Sequence, residues 1–134
     1  METLPLMSDI VHLDTNVVIK IASKEHHLLP PPVIKRINNF SLMISPVVIL
    51  ELQYLFEIKK IEGSALKTVE TLCSLIGLDI CQDPFESVIR ESLRLSWTRD
   101  PFDRLIVAQA SMLNVPLLTS DREILRHYSH AVWD

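Results

Sequence analysis

Residues 99–122, RDPFDRLIVAQASMLNVPLLTSDR, read as a helix, a short buried strand and the opening of a second helix, and they decide the fold. Asp100-Pro101 is a helix start, because Asp caps and the φ of proline suits the first helical position. Asp103 then falls in the first turn, where free backbone N–H groups and the helix dipole favour a carboxylate. Leu105, Ile106, Ala108, Gln109, Met112 and Leu113 recur at helical spacing until Asn114 and Pro116 end the helix. Residues 115–118 are apolar, too few for a helix and suited to a buried strand. Thr119-Ser120-Asp121 follows, and Ser120-x-x-Glu123 is a capping box that makes Ser120 the expected cap of the next helix. Two acids, Asp103 and Asp121, thus bracket one helix–strand unit. In a parallel α/β fold the ligand crevice lies where strands end and the following helices begin. Asp121 meets that condition by local sequence. Asp103 meets it only if the residues before it emerge at the same sheet edge.

Upstream, the alternation repeats. Residues 10–13 are an apolar strand run ending in Asp14-Thr15-Asn16, and residues 17–22 continue as helix with Val17, Val18 and Ile21 on one side. Residues 26–32, HHLLPPP, predict an extended loop, and residues 33–39 a short helix. A second strand spans residues 42–45. Ser45-Pro46 repeats the cap-then-proline start of a helix that runs to about Ile61, ahead of Gly63. Residues 64–76 are amphipathic and closed by Gly77; residues 78–81 form a third strand, and Asp83-Pro84 opens a helix to Trp97. Residues 131–133 are the last strand. Short apolar strands alternating with helices, without an Asn-Gly or Asp-Gly hairpin turn, predict an α/β fold. Its parallel sheet has four or five strands covered by helices on both faces.

Length and composition bound the function. The 134 residues are expected to make one domain, 1–134, with residues 1–9 a flexible N-terminal extension and Met7 an alternative start. Only 2 Gly are present, which excludes a glycine-rich phosphate loop. A net charge of −4 argues against a basic surface that coats nucleic acid. The 48% hydrophobic content calls for a large core or a buried partner surface, yet the apolar runs are too short to span a bilayer. Cys73 and Cys81 form no CxxC pair, and no signal-peptide pattern stands at the start, so a cytoplasmic, reducing setting is expected.

Four acids deserve weighing together. Asp14 ends the first strand and Asp121 the fourth; Asp103 opens the helix that feeds the fourth; Glu51 lies within the apolar helical run VVILELQYLF. Singly, each has a plain alternative: a cap for Asp14, a dipole-favoured charge for Asp121, a solvent stripe with Tyr54 and Glu57 for Glu51. A local echo counsels the same care, since Asp83-Pro84-Phe85-Glu86 mimics Asp100-Pro101-Phe102-Asp103. Together, carboxylates able to meet at one sheet edge repel, and such a cluster persists only with raised pKa values or a bound cation. Oxygen donors without His or Cys at metal spacing suit Mg²⁺ or Mn²⁺, and a metal-activated water attacking a phosphodiester is the chemistry implied.

These residues resemble a known family. Leu13-Asp14-Thr15-Asn16-Val17, the mid-helix Glu51, Asp100-Pro101-Phe102-Asp103-Arg104 with Ala108-Gln109-Ala110, and Leu118-Thr119-Ser120-Asp121 are similar to the motifs of PIN-domain ribonucleases, above all the VapC-like toxins of toxin–antitoxin pairs. The resemblance spans residues 10–133. It implies a three-layer α/β/α sandwich, Mg²⁺ or Mn²⁺ dependence, an RNA substrate, an antitoxin partner and a homodimer. By position, Asp14, Glu51, Asp103 and Asp121 would be the catalytic acids and metal ligands. Thr119 would be a polar support, Thr15 or Asn16 would orient Asp14, and Asp100 would be only the cap. The family's strand order puts the third strand at a sheet edge, which takes Glu86 out of the site.

The remaining polar residues have plainer readings. His26-His27 and His127-x-x-His130 lack a third ligand for zinc and are expected at the surface. Trp97 and Trp133 are expected as core or interface anchors rather than base-stacking platforms. Arg99, Arg104, Lys20 and Lys24 fall near the acidic edge; a weak RNA contact is open to Arg99 and Arg104, though solvated charge is the commoner role. Two rival functions remain: a catalytically silent PIN-like binding module, and a phospho-receiver domain. The latter needs a lysine at the end of a late strand, but the last lysine is Lys67.

Overall fold

In the computed structural model, residues 9–134 are described; the expectations about Met7 and an extension over residues 1–9 therefore lie, Asp9 apart, outside them. Five strands form one parallel sheet in the order β3-β2-β1-β4-β5: β1 Ile10–Leu13, β2 Ser41–Ile44, β3 Asp79–Ile80, β4 Leu117–Leu118 and β5 Ala131–Val132. Between them run α1 Thr15–Ala22, α2 Pro31–Asn39, α3 Pro46–Glu57, α4 Ala65–Ile76, α5 Phe85–Ser92, α6 Pro101–Ser111 and α7 Arg122–His127. This is the expected α/β/α arrangement, with five strands, the larger of the two predicted numbers. The third strand lies at an edge, also as expected.

The order carries a functional consequence. The chain builds outward from β1 through β2 to β3, then returns to lay β4 on the other side of β1. The reversal lies between β1 and β4, and in open α/β sheets ligands bind beyond the carboxyl ends of the strands at this point. Asp14 and Thr119 are the residues that follow those two strands. The strands beneath them are buried and, His12 of β1 apart, apolar: Val11, Leu13, Leu117 and Leu118 are fully buried or nearly so, as are Ile44 of β2 and Leu52 of α3. Strands buried on both faces explain why the sequence reads as short continuous apolar runs.

Local chemistry sets the helix ends. Ser45 and Asp100 cap α3 and α6, each followed by proline at the first helical position, as the sequence predicts. Other boundaries differ. Helix α1 begins at Thr15, two residues early, because the Asp14 side chain accepts from Thr15 N. The expected loop at residues 26–32 holds a single 3₁₀ turn, His26–Leu28, and the first turn of α2. Helix α3 stops at Glu57 rather than Ile61, since Lys59 adopts a left-handed φ of 62°. Helix α5 ends at Ser92 rather than Trp97. There the Arg104 guanidinium donates to the carbonyls of Ser92 (3.2 Å) and Leu93 (3.3 Å), taking acceptors that another turn would need. Asp83 does not cap α5; Pro84 stands at that position and Asp83 accepts from Gln109 Nε2 instead.

Candidate active site

Asp14 is the centre of the site. It is 4% exposed, caps α1 through Oδ1 (Thr15 N, 2.8 Å) and accepts from Thr119 Oγ1 at Oδ2 (2.6 Å). Thr119, fully buried, also accepts from Asp121 N at 3.0 Å, so one hydroxyl joins the end of β4 to two of the acids. Thr15 Oγ1 donates to Glu51 Oε1 at 2.6 Å, drawing the middle of α3 to the start of α1. Glu51 is therefore half-buried and tied into the site, not a member of a solvent stripe. Asp121 caps α7, accepting from Glu123 N and Ile124 N, so the cap is Asp121 and not the expected Ser120. Ser120 Oγ instead accepts from Asn16 Nδ2 at 2.8 Å. The other amide atom of Asn16, Oδ1, is buried without a partner.

Asp103 sits half-buried in the first turn of α6, three residues beyond its cap Asp100, which accepts from Phe102 N and Asp103 N. The electrostatics show what surrounds it. Burial, then the charges of Asp100, Asp14, Asp121 and Glu51, push the Asp103 carboxyl up to about 7. Burial also raises Asp14, opposed by its hydrogen bonds from Thr119 and Thr15 and reinforced by Asp121 and Asp100. Glu51 is raised by burial first, with Asp14 and Asp100 adding to it. The four acids named by sequence thus share one electrostatic neighbourhood. A fifth belongs to it: Asp100 is a cap, as expected, and also a source of charge on three of the others. Its place was readable only as spacing, since Asp100 and Asp103 lie on one turn.

Among the described residues none of these five acids has an ion pair; the ion pairs involve Glu86, Glu91 and Glu123 instead. Glu86, the echo of Asp103, pairs with Arg90 on the exposed side of α5. Arg104 is engaged at the end of α5, while Arg99 is exposed beside Asp100. Also among the described residues, no three His, Cys, Asp or Glu side chains converge closely enough to hold a metal ion as they stand. The donors are nonetheless all carboxylate oxygens, the chemistry of a hard divalent cation that keeps part of its water shell.

A family model described as PIN domain matches residues 11–130. No curated protein matches in sequence. Among solved structures, the chain is similar to VapBC2 of Rickettsia felis bound to a DNA fragment from its promoter: TM-score 0.64, 21% identity, 93% of this chain and 99% of that one. It is similar to a toxin–antitoxin complex from Klebsiella pneumoniae, with TM-score 0.58, 18% identity, and 91% and 95% of the two chains covered. A Pyrobaculum aerophilum protein gives TM-score 0.62 and 20% identity over 94% of this chain and 90% of that one. At such identities the likeness is one of fold.

Proposed function

The chain belongs to the PIN domain family of nucleases, and on that premise we propose that it is a divalent-cation-dependent endoribonuclease, the toxin of a toxin–antitoxin pair. The observation that carries the proposal is the cluster of Asp14, Glu51, Asp100, Asp103 and Asp121 at the sheet's switch point, with no cation among the described residues paired to any of them. Such a cluster destabilises the chain that carries it unless its charge is compensated.

Asp14, Glu51, Asp103 and Asp121 would hold Mg²⁺ or Mn²⁺. When bound, that cation would supply charge neutralisation at a phosphate and acidify a water for attack on phosphorus. The chain's own residues do the positioning. Thr119 and the Thr15 N–H fix both oxygens of Asp14, Thr15 Oγ1 fixes one oxygen of Glu51, and Asn16 binds α1 to the β4–α7 turn through Ser120. Asp121 keeps one oxygen on its helix cap, leaving Oδ2 for a ligand.

The antitoxin partner rests on the similarity to toxin–antitoxin complexes. A cavity of about 480 Å³ between the far ends of α1 and α3, lined by Ile19, Ala22, Leu52 and Ile61 together with Lys60 and Glu62, offers a concave surface for an apolar segment of that partner. The homodimer rests on exposed apolar residues of α3 and α4, Leu50 (61%), Tyr54 (50%) and Leu66 (64%). The deciding experiment is cleavage of RNA by inhibitor-free protein. Cutting with Mg²⁺ or Mn²⁺ that EDTA stops supports the proposal; cutting that persists in EDTA, or Mn²⁺ binding without cutting, overturns it in favour of a metal-free enzyme or a silent binding module.

A further inference from the structure

The segments that carry Asp100 and Asp121 meet a second time, away from the carboxylates. The Trp97 indole and the His127 imidazole are stacked, with centroids 4.7 Å apart and planes 5° from parallel. Trp97 is half-buried and packs against the core, whereas His127 is exposed, so the stack runs from core to indole to imidazole to solvent. The imidazole is also fixed in orientation. Its Nδ1 lies 2.9 Å from the carbonyl oxygen of Glu123, which can only accept, so Nδ1 carries the proton.

On both chain segments the stack lies within a few residues of an acid of the site. Trp97 precedes Asp100 by three residues, and His127 closes α7, the helix that Asp121 caps, about 9 Å along its axis. In sequence an exposed arginine falls between ring and acid on each segment, Arg99 on one and Arg122 on the other, and neither is in any of the described ion pairs. A nuclease with a net charge of −4 cannot hold RNA by a general basic surface, so affinity has to come from a few cations and from contacts that do not depend on charge. Stacking is that kind of contact, because every base presents a π-face.

We propose that the outer face of His127 is a stacking subsite for a base of the single-stranded RNA substrate near the cut phosphate, with Arg99 and Arg122 meeting backbone phosphates between the stack and the acids. This rests on the ribonuclease reading above. The indole behind the imidazole and the Glu123 carbonyl beside it hold the ring still before RNA arrives, so little freedom is lost on binding. Trp97 keeps the anchoring role read from the sequence; the platform is the histidine that covers it.

The test is the affinity of a fluorescently labelled single-stranded RNA oligonucleotide, read by anisotropy with Mg²⁺ in an Asp103→Asn background so that nothing is cut. His127→Ala should weaken binding roughly tenfold and His127→Phe should restore it; in otherwise wild-type protein the loss should fall on KM rather than kcat. The ring is exposed, and unchanged circular dichroism confirms that the variants fold. Equal affinity for all three proteins overturns the subsite while leaving the nuclease reading intact. A Phe variant as weak as the Ala variant overturns it too, since the ring nitrogens rather than the π-face would then be at work. RNA binding absent from the unsubstituted His127 protein overturns both readings together.

Discussion

Thr119 Oγ1 donates to Asp14 Oδ2 at 2.6 Å and so joins the carboxyl ends of β4 and β1 across the switch point of the sheet. The same oxygen accepts from Asp121 N, which makes Thr119 a fixed strut between two acids. Thr119→Val keeps the volume and removes both bonds. It should lower the cleavage rate at least tenfold, as the loss of a hydrogen bond to a charged group implies. Thr119→Ser should keep most of the activity. Initial rates on one RNA, with thermal melts to exclude unfolding, check this; a Val variant as active as wild type would remove the strut from the mechanism.

Much of this site could be read along the chain, because the motifs are local: an acid after β1, an acid after β4, a capped helix start before each relevant carboxylate. What could not be read depends on partners far away in sequence. Ser120 and Asp121 are both competent caps, and the choice falls to Asp121 because Asn16, 104 residues away, takes the Ser120 hydroxyl. The helix at residues 85–92 has apolar periodicity beyond its true end, and Arg104 from the next helix stops it. Lys59 ends α3 in a left-handed conformation that lysine disfavours, so no local signal marked it ahead of Gly63. Asp100 read as a cap and is one; that it also charges the site follows from how α6 is laid against α3 and α5, which brings its first turn towards Glu51 and Asp14.

Removing one charge from the acidic cluster should abolish cleavage and stabilise the metal-free protein. Asp103 is the best place, since burial and four neighbouring carboxylates already oppose its ionisation. Asp103→Asn should melt higher than wild type in EDTA, and Mn²⁺ should raise the melting temperature of wild type more than that of the variant. Glu86→Gln, on the exposed side of α5, should cut RNA normally. If Glu86→Gln is as inactive as Asp103→Asn, the acids have been assigned to the wrong helix start.

Acid should weaken the fold through His12. This side chain is 3% exposed; its Nε2 lies 3.5 Å from Cys81 Sγ and its Nδ1 has no partner. Burial lowers its pKa from 6.5 to about 4, with the charge of Asp83 opposing. The unfolded chain therefore takes up the proton first: the contribution to stability is complete above pH 6.5 and is lost as pH falls towards 4, by about 3 kcal/mol at that limit. Asp103, raised to about 7, works in the opposite sense, its penalty easing as pH falls through 7. The two separate in a difference measurement. In EDTA, denaturant unfolding of wild type against His12→Leu should show a gap that is constant above pH 6.5 and shifts in favour of the variant below it; a gap independent of pH would mean that His12 does not titrate in this window.

The last prediction concerns association. Leu50 and Tyr54 of α3 and Ile58, the residue that caps its C-terminus, are exposed at four-residue spacing, which puts them on one side of the helix. Leu66 of α4 lies across a groove floored by Ile49 and Ala65, and Phe102 of α6 meets the Tyr54 ring at 6.3 Å. Among the described residues no charged side chain lines that groove, so a second copy packed there would be held by apolar burial, and its association should change little between low and high salt. Leu50→Glu would place a charge in the centre of such an interface and, being on the surface of the monomer, should leave the fold intact. Sedimentation should therefore show a salt-insensitive dimer for wild type and a monomer with an unchanged far-ultraviolet spectrum for the variant. A wild-type protein that is monomeric at micromolar concentration, or a dimer that dissociates with salt while ignoring Leu50→Glu, would place the interface elsewhere or remove it.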